Sequence, residues 1–116
     1  LDVPQNKIFV DAFRKEYNGR YPSVYAAQAY DVIMAMDAAV KQAGGKASDR
    51  EAVIRALEKA DYPSVRGSYT YGKNHYPIQA YYLRVVDKDA SGRITNKLVG
   101  KVFDKYQDVY VGDCKL

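Results

Sequence analysis

The strongest constraint on how this 116-residue chain can fold is a change of period near residue 63. Before that point apolar residues recur at helical spacing; after it they come in short, β-branched and aromatic runs. Residues 6–17 predict a helix, with Phe9, Phe13 and Tyr17 on one face, and Asn18-Gly19 is a fitting stop because both tolerate the left-handed conformation. A second helix is predicted over 23–43. Tyr25, Ala29, Val32, Met36, Ala39 and Ala43 form its apolar stripe, Ile33 and Val40 support it, and Gly44-Gly45 ends it. Ser48-Asp49-Arg50-Glu51 has capping-box spacing with Ser48 at the cap, opening a third helix over 48–60 that buries Val53, Leu57 and Ala60.

The strand-like part begins with residues 66–71, turns at Gly72-Lys73-Asn74, and continues as 78–86. Apolar side chains stand on both faces of this middle strand, a pattern typical of strands covered on both sides. Asp89-Ala90-Ser91-Gly92 is a hairpin turn, residues 94–103 return as a third strand, and 106–116 read as a loop or short edge strand. Three helices followed by three strands could make an independent α+β domain, but two details argue against it. The middle strand needs a second layer, and the helices carry more apolar surface than a small sheet can cover. The missing layers are expected from an absent N-terminal segment or from a second copy of the chain.

Composition narrows the function classes. A hydrophobic fraction of 47% with 28% charged residues is that of a globular protein rather than a disordered one. The net charge is +4, but the 18 basic and 14 acidic residues are interspersed and form no nucleic-acid arm. Twelve Tyr could stack on bases, yet they are scattered rather than gathered on one basic sheet. Nucleic acid is therefore not an expected partner. Lys97, Lys101 and Lys105 read as a solvated face.

One cysteine, Cys114, leaves no internal disulfide, and with His75 as the sole histidine it argues against a His/Cys metal site. As a catalytic base His75 would need a nucleophile and an orienting carboxylate. Ser68 and Asp87 are available but not at a telling spacing, so His75 reads as a turn residue. Cys114 reads as a free thiol, or as one paired with a cysteine upstream of this chain. Neither Gly44-Gly45-Lys46 nor Gly72-Lys73 is a phosphate loop. No cofactor and no enzymatic activity are expected. The start, Leu1-Asp2-Val3-Pro4-Gln5-Asn6, has neither an initiating methionine nor a signal peptide, which suggests a processed chain or a fragment.

The best pointer to function is Arg20-Tyr21-Pro22-Ser23-Val24-Tyr25-Ala26-Ala27-Gln28-Ala29-Tyr30-Asp31, a turn that starts the long helix with an aromatic in its first turn. The first amides of a helix lack internal partners and lie at its positive end, so an aromatic beside them can wall a small-ligand site. By periodicity alone Tyr25 reads first as a core aromatic, because it begins the apolar stripe with Ala29 and Val32. Tyr30 reads as packing on a neighbouring helix, and Asp31 as a solvated or helix-start carboxylate.

The order Phe13-Arg14-Lys15-Glu16-Tyr17, then Tyr21 to Asp31, then Val53-Ile54-Arg55-Ala56-Leu57, Val65-Arg66-Gly67 and Lys73-Asn74-His75-Tyr76-Pro77-Ile78-Gln79 resembles the C-terminal part of periplasmic binding proteins of the branched-chain amino-acid type (type I). The ending Gln107-Asp108-Val109-Tyr110-Val111-Gly112-Asp113-Cys114-Lys115 is similar to the tail of one subgroup. These are solute-binding subunits of ABC importers, with two α/β lobes, three crossovers and a ligand in the cleft. The resemblance implies a fragment of that fold. Residues 1–78 would complete the first lobe; 79–116 would carry the last crossover strand and dock on the second. It implies a periplasmic location, a small amino-acid-like or aromatic acid as ligand, a membrane permease as partner, and Tyr25 as a cleft wall. A ligand-sensing domain of a regulator or receptor with the same lobes is the alternative, and a tyrosine-rich nucleic-acid binder comes third.

Overall fold

A computed structural model describes residues 1–115. Three helices, α1 (Pro4–Glu16), α2 (Val24–Gln42) and α3 (Arg50–Glu58), precede three strands, β1 (Thr70–Tyr71), β2 (Pro77–Lys88) and β3 (Ile94–Tyr106). The chain divides into two compact units, Leu1–Ser68 and Tyr69–Leu116.

In the helical unit the stops predicted from glycine are in place. Asn18 and Gly19 have φ of 51° and 80°, and the Gly19 amide donates to the Arg14 carbonyl at 2.7 Å. Gly44 and Gly45 have φ of 68° and 78°, and Gly45 N–H reaches back to the Val40 carbonyl at 2.9 Å. The rings of α1 run as a ladder, Phe9 to Phe13 at 5.9 Å and Phe13 to Tyr17 at 4.3 Å between centroids. Phe9 also meets Tyr30 of α2 at 4.8 Å, so Tyr30 packs on the neighbouring helix as its position suggested.

The apolar stripe of α2 is buried along only half of its length. Ala39, with Val40 and Ala43 beside it, packs against Val53, Ala56 and Leu57 of α3. Val32, Ile33 and Met36 are exposed in this chain. The cap of α3 falls one residue later than the capping-box spacing suggests. Asp49, not Ser48, accepts the Ala52 amide at 3.1 Å, and Glu51 pairs with Arg55 at 3.3 Å one turn on. The Asp49 amide donates to the Lys46 carbonyl at 3.0 Å, a turn that delivers this residue to the helix entrance.

The strand unit is a three-stranded antiparallel sheet in the order β1-β2-β3. The first residues of β2 pair with β1, Tyr71 opposite Pro77 and Thr70 opposite Ile78. The rest pairs with β3, from Gln79 opposite Tyr106 to Lys88 opposite Ile94. Register shifts between Gln79 and Tyr81, between Tyr81 and Tyr82, and between Leu83 and Arg84 put three extra residues on β3, whose residues 94–106 lie opposite residues 79–88. The first strand is shorter than the predicted 66–71, and the amides of Arg66 and Gly67 donate to Ser64 instead of a neighbouring strand. A short 3-10 turn, Val111–Asp113, closes the tail.

The turn between β2 and β3 is built on one carboxylate. Asp89 Oδ1 accepts from the Ser91 amide and hydroxyl, at 3.0 and 2.6 Å, and from the Arg93 amide at 3.0 Å; Oδ2 accepts from Arg93 Nε at 3.0 Å. Gly92 supplies the left-handed residue, with φ of 79°. The Ser91 hydroxyl first, then the Arg93 and Ser91 amides and the Arg93 guanidinium, hold the Asp89 pKa down to about 2.

Candidate functional site

The start of α2 is shaped by the turn before it. Arg20 N–H donates to the Tyr17 carbonyl at 3.0 Å, and the Arg14 guanidinium lies 4.6 Å from the centre of the Tyr21 ring. Ser23 is the cap: its backbone is extended and its hydroxyl oxygen accepts from the Ala26 amide at 3.2 Å. No acidic side chain stands in the first turn to offset the positive end of the helix dipole. Tyr25 projects there and is 77% exposed, with Val24 also exposed. Within this chain Tyr25 is therefore not a core aromatic. Its ring leaves an apolar face and a phenolic hydroxyl at a helix end suited to a small carboxylate.

Asp31, one and a half turns on, is placed otherwise than its sequence position suggests. It is not solvated; it is 3% exposed. Oδ1 accepts from the Val65 amide at 2.9 Å. Oδ2 accepts from the Ser64 hydroxyl at 2.7 Å and from Arg66 Nε at 3.2 Å. Ser64 Oγ also accepts the Arg66 amide at 3.0 Å, and the Gly67 amide donates to the Ser64 carbonyl at 3.3 Å. A buried charge is tolerable only with such partners. Both oxygens are used by the chain itself, so Asp31 is a staple between α2 and the 64–66 loop, not a ligand contact. The two bonds to Ser64 occupy the Arg66 and Gly67 amides, at the start of the predicted first strand. Periodicity could not reveal the staple, since its partners are 33 to 35 residues apart.

His75 has a left-handed backbone, φ 59°, and its amide donates to the Gly72 carbonyl at 2.9 Å, the geometry of a turn residue. Asn74 in the same turn donates from Nδ2 to Asp108 Oδ2 at 2.8 Å, fastening the tail. A Cβ at Gly72 would lie 3.0 Å from Asn74 Oδ1 and 3.3 Å from Gln107 Nε2, so a larger residue there would push on both side chains. Cys114 is half-buried and unbridged. Lys97 and Lys101 are exposed and pair with Asp87 at 3.4 Å and Asp104 at 3.1 Å. Among the described residues no cluster of His, Cys, Asp or Glu is placed to hold a metal ion, and no helix is long and apolar enough to cross a membrane.

Comparison with known proteins places this arrangement. Residues 1–92 match the model of a family described as periplasmic binding protein. The chain belongs to the periplasmic binding protein family. Within it the chain is of type I, the branched-chain amino-acid kind, as the motif order implied. Among solved structures it is similar to the solute-binding protein of an ABC transporter from R. palustris, solved in complex with benzoate. The two share 33% identity over all of this chain and 30% of the other, with a TM-score of 0.82. It also resembles in fold an ABC transporter substrate-binding protein from Sphaerobacter thermophilus, at 22% identity and a TM-score of 0.80, over 90% of this chain and 29% of that one. The chain thus spans about 30% of the length of these solved relatives and is a fragment of their fold. No curated protein matches the sequence.

Proposed function

We propose that this chain is part of the substrate-binding subunit of an ABC importer, and that the subunit captures a small amino-acid-like or aromatic carboxylic acid between two lobes. The observation that carries the proposal is the similarity, over the whole chain, to a benzoate-bound solute-binding protein. Tyr25 is the ligand-binding residue in this reading. It stands at an acid-free helix N-terminus, where a ring beside unpaired amides can stack on an apolar ligand body while the head group is held by residues outside this chain.

Residues 1–78 would complete the first lobe, and 79–116 would form the last crossover and dock on the second. The change of partner along β2, from β1 at its first residues to β3 over the rest, supports a crossover role. The exposed half of the α2 stripe and the apolar residues on the hairpin would be covered by the rest of the same protein. Closure of the lobes would present the liganded form to a membrane permease. The subunit would work in the periplasm, bind without chemistry and need no cofactor.

A thermal-shift screen of the full-length protein against benzoate, leucine and related acids tests the function. A dose-dependent rise in melting temperature with at least one of these acids is expected, because ligand binding to the folded form stabilises it. No shift with any amino or aromatic acid would remove the basis for a solute-binding role.

A further inference from the structure

We propose that Asp31 is a positioning residue for the ligand wall at Tyr25, an inference that rests on the assignment of Tyr25 just made. The two halves of α2 are held unequally. The C-terminal half packs through Ala39, Val40 and Ala43 onto α3. The N-terminal half has no comparable core, since Val24, Tyr25, Val32 and Ile33 are all exposed. Inside the helical unit this half is held by the ring contact of Tyr30 with Phe9 and by the adjoining carboxylate of Asp31.

Asp31 is well made for that task. Its three donors come from three consecutive residues, Ser64, Val65 and Arg66, and two of these residues are buried. The contact is therefore a fixed attachment to a defined loop rather than a solvent-screened pair. Six residues separate it from Tyr25, about 9 Å along a helix axis at about 1.5 Å per residue. The helix is unbroken across that interval. Anchoring α2 at Asp31 fixes the direction of the turn that carries Tyr25, and Tyr25 then meets ligand without reorganising.

Hydrogen–deuterium exchange on the full-length protein with Asp31→Asn tests this. The amide keeps the side-chain volume but replaces one acceptor oxygen with a donor. The backbone amides at 27–30 should exchange about ten-fold faster or more, together with those at 64–66, while those at 39–42 hold their protection. Acceleration confined to 64–66 would overturn the proposal and leave Asp31 as a loop staple alone. Ser64→Ala removes one of the three donors to Asp31, together with the acceptor of the Arg66 amide, and should give the same pattern at lower amplitude, which decides the matter if Asp31→Asn does not fold.

Benzoate titration supplies the functional readout, at a temperature where both variants are folded. Asp31→Asn should weaken binding, and should weaken it little further in a Tyr25→Ala background. An equal loss in both backgrounds contradicts action through Tyr25. If Tyr25→Ala leaves affinity unchanged while exchange still spreads to 27–30, the Tyr25 assignment has failed and the anchoring of α2 stands.

Discussion

Every buried residue among those described lies in the helical unit, and none lies in the strand unit. The helical unit buries Phe9, Ala39, Val53 and Ala56 on its helices and Val65 in the loop after them, and with them the polar pair Asp31 and Ser64. The strands keep a long backbone ladder but leave Leu83, Val85, Val86, Leu98, Val99 and Val102 exposed. One unit is thus held by packed side chains and a buried staple, the other by main-chain hydrogen bonds, its turn, and the ring contacts of Tyr81 and Phe103 with Tyr106 at 5.4 and 5.0 Å between centroids. Apolar residues left open on a hairpin are what a piece of a larger fold should show. The contrast recurs within α2, whose C-terminal half has a partner helix and whose N-terminal half has mainly the staple and one ring.

The sharpest way to break this comparison is Asp31→Ala. It would strand the Ser64 hydroxyl and the Val65 amide and take a buried carboxylate from beside the Arg66 guanidinium, and should destabilise the helical unit by about 3–5 kcal/mol in denaturant unfolding. A loss below about 1 kcal/mol would show that the staple is not what holds the loop.

Ala60 offers a smaller test with the opposite sign. It has φ of 50° just after α3, a conformation in which an L side chain is strained. Ala60→Gly should stabilise the helical unit by about 0.5–1 kcal/mol, read as a higher denaturation midpoint. In the strand unit, Val86→Thr replaces a 70% exposed side chain and should change stability by less than about 0.5 kcal/mol. A larger cost would mean that the side-chain packing of the hairpin, seen in the rings of Tyr81, Phe103 and Tyr106, extends to Val86.

Acid should loosen the hairpin turn in a defined window. The folded pKa of Asp89, about 2, lies below its ordinary value of 3.8, so the folded turn favours the ionised form. That contribution is fully present above about pH 4 and is lost as pH falls towards 2. The amide signals of Ser91 and Arg93 should titrate across this window, and in Asp89→Asn they should not. Identical pH profiles would separate the turn from its carboxylate.

Much of this architecture can be read along the chain. Helix stops at Asn18-Gly19 and Gly44-Gly45, the hairpin turn and the order of helices before strands all rest on local backbone preferences. The contacts that set the details are non-local or finely balanced. Ser48 and Asp49 are both good caps, and the Lys46 turn decides between them. The Asp31 staple joins residues far apart in sequence. Tyr25 shows the limit most clearly. Periodicity puts it in line with Ala39, but only Ala39, 1% exposed, finds a partner helix in this chain.

Calorimetry of benzoate, or of the acid that the screen selects, with the full-length protein and its Tyr25→Ala variant tests the central claim most directly. Loss of a buried aromatic contact should weaken binding by about 1–3 kcal/mol, roughly five- to 150-fold, with the melting temperature of the unliganded protein little changed. Unchanged affinity in a folded Tyr25→Ala variant would contradict the account and take Tyr25 out of the site.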